Sequence, residues 1–397
     1  MSTTGRIPFV DLDAQRERLG GRIEAAVLRV IAHGQYIMGP EIEELEAELA
    51  KRAGVRCAIT CGSGTEALML PLMAWHVGIG DAVFVPAFTF PATAEVAVLV
   101  GATPVFVDVD SGTFNIDAES LSEAVEHAAA VGLRPRVVVA VDLFGQPADY
   151  ASIAPLVRDN NLLLLADAAQ SFGASYQARP VGSLGDATAT SFYPAKPLGC
   201  YGDGGAVLTD DCALAEIIKS IRNHGQGTSR YDVVRIGING RLDTIQAALL
   251  LEKLRIFDDE LESRNVVAQR YSQALGDLVK TPSVKVGSTS SWAQYTIQLA
   301  GRDRLMHDLD NASIPTAIYY PQPLHRQPAY ANAVAPLGQL EVSESLSSHV
   351  VSLPIHPYLA PSVQDRVIAE IRSSLRTMRG VEDNNSDDAT RSDIGVF

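Results

Sequence analysis

The sequence predicts an α/β protein with a mostly parallel central sheet, and three observations predict it. Short apolar runs recur along the chain: CAITC at 57–61, AVFV at 82–85, PVFVD at 104–108, VVVAVD at 137–142 and LLLLAD at 162–167. Helical patterns separate them, as expected of strands covered on both faces by helices. Glycines or a carboxylate follow several runs, at the strand ends where open α/β sheets gather their ligands. The chain of 397 residues is too long for one small core. We expect an N-terminal segment and large domain over 1–255, a smaller C-terminal α+β domain over 256–378, and a disordered tail over 379–397.

In order, residues 7–13 read as an extended entry segment, and Ile23, Ala26, Val27, Val30 and Ile31 mark the inner face of a helix that His33-Gly34 stops. A second helix starts near Pro40 and carries Ile42, Leu45 and Leu49. The strand at 57–61 runs through Gly62-Ser63-Gly64-Thr65 into helix-forming Glu66–Leu70. Helices follow over 92–100, 213–222 and 244–254, and a long one over 261–275 joins the two domains. Tyr295–Leu299 alternates like a strand, 314–319 reads as another, and a last helix spans 361–375. Residues 381–393, VEDNNSDDATRSD, are acidic and nearly free of apolar side chains, hence the expected disorder.

The formal net charge of −15 argues against a general nucleic-acid or anionic-membrane binder, though not against a small anion held by local positive charge. Apolar runs such as 96–100 and 162–166 are too short to span a bilayer. Residues 1–20 are charged, without the apolar core of a secretory signal, so a cytoplasmic protein is expected. Cys57 and Cys61 lack a second ligand pair, which disfavours zinc; the four cysteines are expected to be buried thiols.

Two motifs carry chemistry. The first is the strand, glycine turn and helix at 57–70: a helix N-terminus offers unpaired N–H groups and the positive end of a dipole, so phosphate is a natural guest. Gly62-x-Gly64-x-x-Ala67 also fits a dinucleotide fingerprint, leaving a nicotinamide oxidoreductase as an alternative; against it, Asp81 falls before the next strand rather than at its end. The second is ATSFYPAKPLGCYGDGGAV at 189–207, where Pro194 and Pro197 stiffen the chain around Lys196 and four glycines permit close approach. Such a lysine can bond covalently to a carbonyl. Alone it reads first as a surface lysine in a glycine-rich loop. Its companions are Asp167 at a strand end, Gln170 three residues on, and the Ser191 hydroxyl.

With GSGTEAL, DAAQSFGA, SFYPAKPLGCYGDGGA and NGRLDTIQAA as anchors, the chain resembles, over residues 7–376, the sugar-nucleotide aminotransferases of the DegT/DnrJ/EryC1/StrS family. The resemblance implies the aspartate-aminotransferase-like fold (fold type I of pyridoxal 5'-phosphate enzymes), with 1–255 as the cofactor-binding part. It implies pyridoxal 5'-phosphate, which becomes pyridoxamine 5'-phosphate during turnover. Lys196 would be the catalytic amine; relatives that dehydrate carry histidine there. Asp167 would pair with the ring nitrogen, Gln170 and Phe90 would lie against the ring, and backbone N–H groups of Gly64, Thr65 and Glu66 with Ser191 would hold the phosphate. Asn239 would reach the phosphate of a neighbouring subunit, making a homodimer with shared active sites. Arg241, His224, Tyr320 and His325 are candidate substrate contacts. Within the family, SFYP-K-LG-YGDGG is most similar to UDP-2-acetamido-2-deoxy-3-oxo-glucuronate aminotransferases, which use L-glutamate, release 2-oxoglutarate and aminate sugar carbon 3 for surface polysaccharide such as O-antigen. Alternatives within the same scaffold are a dTDP-linked 3- or 4-keto-6-deoxy sugar as substrate, or a non-catalytic cofactor-binding regulator.

Overall fold

The computed structural model of the chain describes residues 7–229, 231–331 and 340–391, with side chains as far as residue 378. Its strands are β1 (Cys57–Cys61), β2 (Asp81–Pro86), β3 (Thr103–Val107), β4 (Arg134–Val141), β5 (Leu163–Asp167), β6 (Ser175–Tyr176), β7 (Arg179–Pro180), β8 (Ala187–Ser191), β9 (Gly205–Thr209), β10 (Tyr295–Gln298) and β11 (Val350–Leu353). Its helices are α1 (Leu12–Leu19), α2 (Arg22–His33), α3 (Pro40–Ala53), α4 (Gly64–Ala74), α5 (Ala92–Leu99), α6 (Ala118–Ala130), α7 (Tyr150–Asp159), α8 (Cys212–Arg222), α9 (Thr244–Leu254), α10 (Phe257–Leu275), α11 (Arg302–Asn311), α12 (Glu341–His349) and α13 (Pro361–Arg391).

Seven strands form one sheet in the order β1-β9-β8-β5-β4-β2-β3. Only β9 runs against the rest, pairing antiparallel with both β1 and β8. Alternate side chains of the strands divide between two cores, as the both-face hydrophobicity predicts. Val83, Val85, Val137, Val139 and Leu165 pack on one face under α4, α5 and α8. Phe84, Val105, Val138, Ala140 and Leu164 pack on the other under α6 and α7. A separate core gathers Val267, Tyr271 and Leu275 of α10 with residues of β10, β11, α11 and α13, and takes in Ile7 from the N-terminal segment. The first turn of α10 instead places Phe257 among α3 and α9, so this helix runs from one core into the other.

Three expectations are corrected. Residues 314–319 form no strand; Ala317 makes only an isolated bridge to Ser352, because Pro315 has no N–H to extend a ladder. Helix α13 continues past residue 375, where the sequence pattern ended it, as far as Arg391, since adding a turn to an established helix costs far less than starting one. Residues 392–397 lie outside the described residues. The four thiols are not uniformly buried: Cys61 and Cys200 are, Cys57 is half-buried and Cys212 is exposed.

Candidate active site

The parallel strands all end on one edge of the sheet, and the motif residues collect there. The Gly62–Glu66 turn follows β1, Phe90 follows β2, Asp167 ends β5, Ser191 ends β8, and the loop bearing Lys196 connects β8 to β9. Register brings them together: Asp167 is opposite Ala189, while Gly205 is opposite both Ser191 and Cys61.

The glycine turn opens α4, capped by the Ser63 hydroxyl, which accepts the Glu66 N–H at 3.1 Å. Gly64 and Thr65, the first two helical residues, have no acceptor in the preceding turn, so their N–H groups stay available. A Cβ on Gly64 would sit 2.7 Å from the Ser191 Cβ. Two free donors and a hydroxyl therefore border one small cradle. Glu66 departs from the expectation, because its N–H is spent on the cap and its carboxylate accepts the Gly62 N–H at 2.7 Å.

Asp167 is 6% exposed and accepts from the Ala169 N–H at 3.1 Å and the Thr93 hydroxyl at 3.2 Å. Burial pushes its carboxyl up, against those donors and the Lys196 charge. Burial likewise pushes the Lys196 amine down, and the attraction of Asp167 opposes it. The pair thus lies within electrostatic reach. Lys196 sits in a turn closed by its own N–H on the Tyr193 carbonyl at 2.8 Å, rather than in the extended segment its prolines suggest. The Lys253 ammonium holds this loop from below its second half, donating to the Gly199 carbonyl at 2.6 Å from over the Tyr201 ring.

Gln170 is fixed at both ends of its amide, accepting from Phe144 N–H at 2.6 Å and donating to the Tyr320 hydroxyl at 3.3 Å. Tyr320 packs edge-on to Phe88, and its ring centroid is 6.4 Å from that of Phe90, which is exposed. The side chains of the other candidates are engaged elsewhere or exposed. Arg241 donates to Asn223 Oδ1 at 2.6 Å, and His325 pairs with Glu344 at 2.9 Å. His224 and Asn239 are exposed on the loop whose Gly240 carbonyl accepts the Gly62 N–H at 3.2 Å.

Sequence reasoning missed Thr93, Asp142 and Lys253. Asp142 is fully buried after β4, where Ala148 N–H, Tyr150 and Ser171 donate to it and its own N–H reaches the Asp167 carbonyl at 3.0 Å. Its position at the end of an apolar run, like that of Asp167, was the available signal. Thr93 and Lys253 lie inside helical patterns and carry none.

The residues present fit pyridoxal 5'-phosphate. The cradle offers donors to a phosphate. A protonated ring nitrogen would satisfy a buried carboxylate that holds only two donors. An exposed aromatic ring and a fixed amide border the space between.

Comparison with known proteins agrees. Residues 17–372 match the DegT/DnrJ/EryC1/StrS aminotransferase family. The chain is 45% identical to UDP-2-acetamido-2-deoxy-3-oxo-D-glucuronate aminotransferase of Pseudomonas aeruginosa, over 89% of this chain and 96% of that one. Among solved structures, a DegT DnrJ EryC1 StrS aminotransferase from Brucella abortus superposes with a TM-score of 0.91 at 51% identity, covering 92% of this chain and 99% of that one. The Bacillus subtilis protein ntda, solved with bound pyridoxamine 5'-phosphate, superposes with a TM-score of 0.85 at 27% identity, covering 95% and 86%.

Proposed function

Because the chain belongs to the DegT/DnrJ/EryC1/StrS aminotransferase family, we propose that it moves an amino group from L-glutamate to a keto-sugar nucleotide, with C3 of UDP-2-acetamido-2-deoxy-3-oxo-glucuronate as acceptor. The mechanistic reading is carried by one observation: a lysine amine and a buried aspartate in electrostatic reach, beside a helix N-terminus with free donors. The substrate reading is supported by the similarity to the Pseudomonas aeruginosa enzyme.

Pyridoxal 5'-phosphate, when bound, supplies the carbonyl that takes up the amine and the ring that accepts electrons from the reacting carbon. The Gly64 and Thr65 N–H groups and the Ser191 hydroxyl hold its phosphate, joined by Asn239 of the partner subunit in a homodimer. Asp167 keeps the proton on the ring nitrogen. Gln170 and Phe90 set the ring plane, and Tyr320 fixes the Gln170 amide. Lys196 Nζ, neutral more readily than a solvated amine, accepts the proton from the substrate carbon and returns it. Glutamate and keto-sugar take turns at one site, and the product feeds surface polysaccharide such as O-antigen.

Reverse transamination of a panel of UDP- and dTDP-linked amino sugars, with product mass as the readout, tests the acceptor. The UDP-linked 3-amino uronate is expected to react fastest; preference for a dTDP sugar overturns that assignment. Lys196→Ala is expected to cut turnover by ~10⁴-fold or more. In the wild type L-glutamate is expected to bleach the visible band of the bound cofactor, and persistence of the band refutes the amine donor.

A further inference from the structure

Two of the four thiols meet outside the active site. Cys57 begins β1, the edge strand, opposite Thr209 at the end of β9. The chain then turns through Asp210 and Asp211, and Cys212 opens α8, capped by the Asp211 carboxylate. This return brings the two sulfurs to 3.2 Å, closer than unbonded sulfurs usually rest and about 1 Å longer than a disulfide bond. Among the described residues no group of metal-binding side chains includes either sulfur. Cys212 is exposed and Cys57 half-buried, whereas Cys61 and Cys200 are enclosed. The chain therefore carries two accessible thiols already in contact and two inaccessible ones as internal controls.

We propose that Cys57 and Cys212 form a peroxide-oxidised dithiol site, in which Cys212 meets hydrogen peroxide and Cys57 resolves the product into an intramolecular disulfide. The Cys212 thiolate attacks one peroxide oxygen, the O–O bond breaks, and the leaving oxygen departs as water after taking a proton; Cys212 is then a sulfenic acid. The Cys57 sulfur attacks the Cys212 sulfur, the S–O bond breaks, and a second water leaves with the Cys57 proton. Two thiols and one hydrogen peroxide thus give one disulfide and two waters, the two electrons passing from sulfur to the peroxide. The order follows from access. Burial, reinforced by the Cys212 contact, pushes the Cys57 thiol up to about 11, so it is the poorer first nucleophile and a suitable second one once its neighbour is activated. Each sulfur needs to move by only about half an ångström.

The bond ties the strand that leads into the phosphate turn to the helix that leads into Arg222 and Asn223. It enters neither the Lys196 loop nor the turn, so it staples the frame and leaves the site's donors in place. It also closes a loop spanning much of the large sheet, the situation in which a cross-link restricts the unfolded chain most.

The test treats the full chain with hydrogen peroxide, blocks remaining thiols and maps peptides without reduction. Expected is a linked 57–212 peptide pair lighter by two hydrogens, reversed by dithiothreitol, with Cys61 and Cys200 still alkylatable. Cys57→Ser is expected to lose the link and to drive Cys212 to the sulfinic acid, and Cys57→Ala repeats this with a side chain that cannot hydrogen-bond. The melting temperature is expected to rise by about 5 °C on oxidation of the wild type and of neither variant. Over-oxidation of Cys212 in the wild type, a link between two chains, or an equal thermal shift in the variants would each overturn the proposal.

Discussion

Asp142 sits in an environment far from that of a carboxylate in water. Burial pushes its carboxyl up to about 7, against three donors that favour the anion. Between the ordinary carboxylate value and about 7 the folded chain keeps a proton that the unfolded chain releases, so this group's stabilisation is complete in acid and is lost as the pH rises through that window. Asp142→Asn keeps an acceptor for Ala148 N–H and Tyr150 and can donate to Ser171. Urea unfolding across the window is expected to show a flatter pH slope in that variant than in the wild type. At Gly64 the argument is steric: the added Cβ of Gly64→Ala meets Ser191 and occupies the phosphate cradle. The dissociation constant for pyridoxal 5'-phosphate is expected to rise by ~10-fold or more, read by fluorescence titration, with the fold retained.

Among elements, α8 is held to the sheet by a buried ion pair. The Arg222 guanidinium donates to Glu46 at 2.6 Å and to the Thr60 carbonyl at 2.7 Å, so one side chain joins α8, α3 and β1. Arg222→Met leaves Glu46 with an unpaired charge and is expected to cost about 3–5 kcal/mol in chemical denaturation. The elements also differ in how plainly the sequence announces them. β1, β2, β4 and β5 are apolar on both faces and α2 has a clean amphipathic pattern, so each was legible to within a few residues. β8 and β9, reading ATATS and GAVLT, are small or threonine-rich and take their strand form from pairing with each other and with β1. They are also the strands that frame Lys196. Hence Lys196, Asp167 and Gln170 could be picked out by residue type and order, whereas the Thr93 bond to Asp167 and the Lys253 bond to Gly199 depend on which elements become neighbours.

For the whole molecule, Tyr231, Val233, Val234 and Ile236 lie exposed on one loop, the last at 85%. Its flanks dock beside the phosphate turn, so a second copy that covers this loop lies close to the site. Ile236→Glu is expected to weaken the proposed homodimer by ~10²-fold, seen by light scattering across dilution, and to lower cofactor affinity in parallel. A second consequence lies in the sheet order. Among the described residues β1, which carries the phosphate turn, finds its strand partner in β9, far along the chain, after β2, β3, β4, β5 and β8 have all been passed. During synthesis the turn must wait, unpaired, until the chain beyond Thr209 has left the ribosome. Capture of the cofactor is therefore a signal that the large sheet has closed: a nascent chain that can hold the phosphate has already paired β1 with β9.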